Sequence, residues 1–246
     1  MPRANVPAVV LPVSKTQLKQ LTKRFRDGGH TAGDRGHAGR RLRCYAVVLQ
    51  QAHGDVERLC STLPDTWQMA PRVKTLKTML EKLQRQPNLH SIGQIRDVAG
   101  LRVVVAGTRT DQDDLTDRLA LLLADDADPP KVIDRRADPR SGYRAVHLAV
   151  TREGLSIEVQ VRTDLQHRWV DLFERAADRF GRGIRYGEAA PAGIGEQLVG
   201  GLNQLSILFD DIERWEQLNP GMTRTGARQR LDEHFTNVEH VLEQLR

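Results

Sequence analysis

Two stretches near the middle of the chain alternate apolar and polar residues: 144–150 (RAVHLAV) and 156–162 (SIEVQVR). A period of two is the pattern of a half-buried strand. The polar TREG between them, residues 151–154, predicts a hairpin turn. Along the second segment Glu158, Gln160 and Arg162 share one face, while Ile157, Val159 and Val161 share the other. A carboxylate, an amide and a guanidinium in a row line either a cleft or an ordinary solvated sheet face. Residues 101–105 predict a further strand, apolar except for Arg102. It is preceded by Asp97 and by Gly100, where another backbone or a ligand can approach closely. A short strand is expected over 131–134.

The rest of the chain has the helical period. Ser14 is the expected N-cap of a helix reaching about Phe25. The Gly-rich DGGHTAGDRGHAG, 27–39, predicts a loop or insertion. Residues 40–62 read as a helix with Leu42, Tyr45, Val48, Leu49 and Val56 as its stripe, and LPDTWQMAP, 63–71, as a connector. RVKTLKTMLEKLQR, 72–85, predicts a basic amphipathic helix burying Leu76, Met79, Leu80 and Leu83. A helix over 111–123 carries Leu115, Leu119 and Leu122, followed by a turn at 125–130 and a basic loop at 135–141. Residues 164–180 form a helix with Asp164 at its N-terminus, where the helix dipole favours an acid. Two more stripes follow: Leu198, Leu202, Leu205, Phe209 and Ile212, then Leu231, Phe235, Val238, Leu242 and Leu245. Intramolecular core is the first expectation for both, and a homo-oligomer interface the alternative.

Composition narrows the class. At 246 residues, 39% hydrophobic and 28% charged, the sequence is that of an ordinary globular protein. A net charge of +5 favours an anionic partner such as nucleotide, RNA or phosphate, and the 4% aromatic content argues against a long single-strand stacking platform. Cys44 and Cys60 form no CxxC, which disfavours a zinc knuckle or a disulfide framework. The opening MPRANVPAVVLPVS has too few apolar residues for a signal peptide, and no window approaches the roughly 18 of a membrane span. A soluble, cytoplasmic protein is expected.

Taken together, the polar groups suggest phosphoryl-type transfer. Arg72, Lys74, Lys82 and Arg85 would bind a triphosphate. Asp97 and Glu158, brought together by neighbouring strands, would hold Mg²⁺, which accepts a few carboxylates plus phosphate oxygens. Tyr143 could stack on a base. No GxxxxGK[ST] occurs, so the phosphate site is not a P-loop.

The segments RVKTLKTMLEKLQR, RDVAGLRVVV, SGYRAVHLAV, IEVQVRT and LQHRW resemble, in this order and spacing, the synthetase domain of the RelA/SpoT family of alarmone synthetases, the small single-domain members above all. The resemblance covers roughly residues 71–186. It implies an α+β fold, with a mixed sheet of about five strands in a nucleotidyltransferase-like core. The chain then divides into a helical extension (1–70), the core (71–190) and a second helical extension (191–246). It further implies transfer of the β,γ-pyrophosphate of ATP to the 3′-hydroxyl of GDP or GTP, with Mg²⁺ as cofactor. Arg72 would border the adenine, and Lys74, Lys82 and Arg85 would bind the ATP phosphates. Asp97 would hold Mg²⁺ with Arg102 supporting the site. Tyr143 would stack on the acceptor guanine, with His147 and Arg140 nearby. Glu158 would coordinate Mg²⁺ or act as general base, supported by Gln160, Arg162 and His167.

The family pattern is departed from at three places. The loop Pro139-Arg140-Ser141-Gly142-Tyr143 is one residue short and has Arg for the usual Lys. Phe173 and Glu174 stand where the small synthetases carry Glu-His, and Thr78 stands for Ser. Two other expectations remain beside the first. One is a toxin-type relative acting on the tRNA 3′ end or on adenine nucleotides, with Arg135, Arg136, Arg140, Arg179, Arg182 and Arg185 meeting RNA phosphates. The other is an inactive nucleotide-sensing module.

Overall fold

The computed structural model describes residues 9, 11, 13–64, 67–124 and 128–245. Among these residues, seven α-helices accompany a five-stranded mixed sheet: α1 Lys15–Arg26, α2 Ala32–Cys60, β1 Trp67–Val73, α3 Leu76–Arg85, β2 Ala99–Val105, α4 Arg109–Leu123, β3 Lys131–Asp134, β4 Val146–Arg152, β5 Leu155–Thr163, α5 Asp164–Phe180, α6 Ile194–Leu218 and α7 Thr225–Gln244. The α+β class is as expected. The strand order is β1-β2-β5-β4-β3, with β2 and β5 parallel and the other pairs antiparallel.

Several elements start where local capping chemistry puts them. Ser14, Thr31, Thr108 and Thr163 each accept a hydrogen bond from the backbone three residues on, and the residue there (Gln17, Asp34, Asp111 or Gln166) bonds back to the cap. The hairpin turn between β4 and β5 is narrower than TREG: only Glu153 and Gly154 turn, both at positive φ (48° and 69°). That is the type I′ geometry that matches strand twist.

The structure corrects three sequence expectations. Residues 27–39 are not a loop throughout, because the Thr31–Asp34 capping box starts α2 at Ala32 and carries Gly33, Gly36 and Gly39 into the helix. LPDTWQMAP is a connector only at its start, Leu63 and Pro64, since Trp67–Val73 is the edge strand β1 (Asp65 and Thr66 lie outside the described residues). Pro71 is tolerated there because an edge strand needs to donate on one side only. The basic helix does not begin at Arg72: that residue ends β1, and Thr75 caps a helix starting at Leu76. Residues 125–127 of the expected turn, and most of the first twelve residues, lie outside the described residues.

Two apolar clusters hold these elements together. In the first, Ile157, Val159 and Val161 of β5 join Leu101 and Val103 of β2, Leu148 of β4, and buried residues of α1, α2, α3 and α4. The N-terminal helices are therefore part of the core that supports the sheet. The second lies among α5, α6 and α7, with Trp169, Phe209 and Phe235 all but fully buried. Leu198, Leu202, Leu205, Phe209 and Ile212 do form intramolecular core, as do Leu231, Phe235 and Leu242, while Val238 and Leu245 pack against it half-buried.

Candidate active site

Strand register assembles the polar face. Arg72 on β1 pairs with Gly100 on β2, Gly100 with Glu158 on β5, and Glu158 with Ala149 on β4. Two residues along, Ala70, Arg102, Gln160 and His147 form the next row. Side chains two apart on a strand share a face, so Arg72, Arg102, Glu158, Gln160, Arg162 and His147 all rise from one side. Gly100 keeps the row open where a larger side chain would fill the space between Arg72 and Glu158.

Around Glu158 the side chains close a hydrogen-bonded ring. One carboxylate oxygen lies 3.0 Å from His147 Nδ1, and the other accepts from Gln160 Nε2 at 2.8 Å. His147 Nε2 is 2.8 Å from the Tyr143 hydroxyl. Arg162 donates to that hydroxyl at 3.1 Å and to Gln160 Oε1 at 2.7 Å. One assignment satisfies every link: a neutral imidazole with its hydrogen on Nδ1 donates to Glu158 and accepts from Tyr143. The Arg162 guanidinium also lies over the Tyr143 ring, 5.3 Å from its centroid, and the His147 ring meets Tyr143 edge-on. Burial pushes the Glu158 carboxyl up, but the hydrogen bonds from His147 and Gln160 outweigh it, so Glu158 titrates below its ordinary range. The charge of Asp97 is felt there too, in the upward direction. Burial pushes the Tyr143 hydroxyl up, and that phenol stays protonated.

A second cluster stands at the mouth of β2. Asp97 is 2.6 Å from Lys82 Nζ and 3.2 Å from Lys74 Nζ. Lys74 is placed by its backbone N–H, which donates to Val98 O at 2.8 Å, and Lys82 by the second turn of α3. Burial raises the Asp97 carboxyl, and the two ammonium groups overcome that and hold it below its ordinary value. Among the described residues no three His, Cys, Asp or Glu side chains gather as a metal cage. The Asp97 and Glu158 carboxylates, near enough for one charge to act on the other, could hold an ion that takes its remaining oxygens from phosphate and water, as Mg²⁺ does.

The remaining expected residues divide. Arg102 lies 4.0 Å from Asp171 on α5, and His167 lies 3.7 Å from the same carboxylate. Burial, with Arg102 and Arg162 nearby, lowers the His167 pKa, partly opposed by Asp171 and Asp164. Both therefore border the ring from the α5 side. Arg85 is not drawn toward Asp97: it donates to the Tyr186 hydroxyl at 2.7 Å and covers that ring. Arg140 forms a backbone bridge with Tyr143 and has an exposed side chain. Arg136 is corrected as an RNA contact, because it is buried against Asp134, Asp113 and Gln112. Arg185 pairs with Glu174 and Asp178, and Arg182 lies 3.6 Å from Asp178. Asp171 and Tyr186 escaped the sequence reading, since neither stands in a motif and only the fold carries them to the site.

Comparison with known proteins agrees with this geometry. The model of the region found in RelA / SpoT proteins matches residues 71–177. An uncharacterized protein of Mycobacterium tuberculosis is 40% identical over 136 residues, 53% of this chain and 45% of that protein, and one of Mycobacterium bovis matches to the same extent. The chain thus spans about half the length of these curated relatives. Among solved structures, small alarmone synthetase 1 from Bacillus subtilis bound to its product pppGpp is 22% identical with a TM-score of 0.55, over 72% of this chain and 93% of that one. A GTP pyrophosphokinase family protein from Streptococcus pneumoniae is 18% identical with a TM-score of 0.54, over 77% and 95%. At those identities the likeness is one of fold. No helix among the described residues is long and apolar enough to cross a membrane.

Proposed function

From the match of residues 71–177 to the region found in RelA / SpoT proteins, we propose that the protein is a pyrophosphokinase of that family. It moves the β,γ-pyrophosphate of ATP to the ribose 3′-hydroxyl of GDP or GTP, forming (p)ppGpp and releasing AMP. The observation that carries this reading is the nearness of the Glu158 ring to the Asp97–Lys74–Lys82 cluster, close enough for the Asp97 charge to act on Glu158.

Such a transfer needs alignment and charge neutralisation more than covalent chemistry. Lys74 and Lys82 pair with Asp97 in the free protein, and an incoming triphosphate would offer them stronger partners. Donor binding thereby exchanges the lysine–Asp97 pairs for lysine–phosphate pairs and frees the Asp97 oxygens. Asp97 and Glu158 would hold Mg²⁺, which when bound draws off charge developing on the phosphate oxygens. Arg72, opposite Gly100, would border the adenine, and Arg85, one turn beyond Lys82, would extend the phosphate site.

On the acceptor side, Arg162 and His147 fix the Tyr143 ring, a rigid platform for a base. Glu158 is ionised at neutral pH and accepts the hydrogen bond of the 3′-hydroxyl. Its lowered pKa makes it a modest base, which a loose transition state tolerates. The 3′-hydroxyl proton arrives on Glu158, whose partly exposed carboxyl returns it to solvent once the product has left.

Incubation with γ-labelled ATP and, separately, GDP, GTP, ADP or tRNA tests the proposal. Label is expected on the guanosine nucleotides. Transfer confined to tRNA or ADP would refute the acceptor assignment, and no transfer to any of them would refute the activity.

A further inference from the structure

The turn that carries Tyr143 does not hold itself in place. Ser141 and Gly142 both have positive φ (49° and 79°), and a side chain at Gly142 would begin 2.7 Å from Trp169 and 3.0 Å from Asn203. The turn is pressed against α5 and α6. Ser206 on α6 donates its hydroxyl hydrogen to the Gly142 carbonyl and accepts from Arg144 Nε at 3.1 Å. Arg144 directly follows Tyr143. Its Nη1 reaches both the Arg136 carbonyl and, at 3.1 Å, Asp210, one turn along α6 from Ser206. Asp210 is fixed in turn by Arg109 of α4 at 2.8 Å. Trp169 Nε1 donates to Leu202 O of α6 at 2.6 Å, tying α5 to the same stretch. The side chains of Ser206, Arg144, Asp210, Arg109 and Trp169 are all buried.

We infer that α6 is a working part of the acceptor site: Ser206 and Asp210 are positioning residues that set the Gly142–Tyr143 turn, and through it the acceptor platform. The inference rests on the proposed function and names the side of the site concerned. Ser206 spans both flanks of Tyr143, bonding the carbonyl before it and the guanidinium after it. Removing its hydroxyl leaves both partners without it and lets the Tyr143 ring shift relative to Glu158. The donor side has no such dependence, because Lys74, Lys82 and Asp97 are placed by α3 and the entry to β2.

The test is the steady-state kinetics of Ser206→Ala with ATP and GDP, beside Leu198→Ala, which removes apolar packing from the far end of the same helix. In Ser206→Ala the KM for GDP is expected to rise on the order of 10-fold or more, with the KM for ATP near the wild-type value. Leu198→Ala should lower Tm while leaving the ratio of the two KM values unchanged. Asp210→Asn, which keeps shape but loses charge, should move the GDP KM in the same direction as Ser206→Ala. Equal changes in both KM values, or an unchanged GDP KM in Ser206→Ala, overturn the inference. Wild-type protein that transfers no label refutes the proposed activity instead. Calorimetric binding of GDP without ATP then carries the test, and a Kd unchanged by Ser206→Ala overturns the role of α6.

Discussion

Replacing Glu158 by Gln separates the chemistry of the ring from its architecture. The carboxylate receives two hydrogen bonds, from His147 at 3.0 Å and Gln160 at 2.8 Å. An amide of the same shape can keep the Gln160 link by presenting its oxygen there, which turns its NH2 toward His147 Nδ1. The imidazole then moves its hydrogen to Nε2, accepts from the new amide, and donates to the Tyr143 oxygen, which also accepts from Arg162. Only the Tyr143 hydroxyl hydrogen loses its acceptor, and a charge-assisted bond becomes a neutral one. The difference between those bond classes is about 1 kcal/mol, which for a chain of this size is a Tm shift of ~2–4 °C. Activity has no such escape, because an amide neither takes the 3′-hydroxyl proton nor supplies charge to a metal ion. Removing a general base alone costs about 10²–10⁴-fold. Differential scanning fluorimetry and the labelled-ATP assay read the two quantities on one preparation. Full transfer by Glu158→Gln would remove that residue from the reaction, and a variant that fails to fold would refute the tautomer exchange.

Three further outcomes follow from the same geometry. Lys82→Ala removes the shorter of the two contacts to Asp97, so its pKa should rise toward the ordinary value and the KM for ATP should climb while that for GDP holds; NMR titration of Asp97 and initial rates check both. His167 titrates below its ordinary value in the folded protein, so the unfolded chain binds more protons as pH falls below about 6.5. Stability should therefore drop with acidification in that window, and His167→Gln should lose less Tm between pH 7 and the low edge of it; an equal loss in both proteins would contradict the shift. Gly142→Ala forces a side chain into positive φ and to 2.7 Å from Trp169. The conformational part alone costs about 1–2 kcal/mol, so a fall in Tm is expected together with a raised acceptor KM, and an unchanged melt would show that the turn relaxes freely.

Much of the fold could be read directly from periodicity. Period-two alternation marked β4 and β5 to within two residues, and the polar row Glu158, Gln160, Arg162 follows from strand geometry alone. The 3.6-residue stripes marked α5, α6 and α7, because each buries one face against the other two. Three elements were obscured for local reasons. Glycines at 33, 36 and 39 imitate a loop while a capping box starts a helix around them. Pro71 disguises a strand whose edge position makes the missing N–H harmless. Lys74 and Thr75 continue a helical pattern that a cap cuts off at Leu76.

By itself the sequence determined which side chains could take part: the carboxylates, the cations and the tyrosine stand in motifs with recognisable spacing, and strand alternation sets their faces. Only the tertiary structure decided how they partner. Glu158 meets His147 because β4 and β5 pair in one register, and a slip of one residue would turn the ring inside out. Asp97 meets Lys74 and Lys82 because β1 and β2 are neighbours and α3 leaves the end of β1 beside them. Arg136 and Arg85, equal to the other cations in the sequence, were assigned to the interior and to Tyr186 by contacts 24 and 101 residues away. Local periodicity carries no information about such distances, because they are set by how separate elements pack.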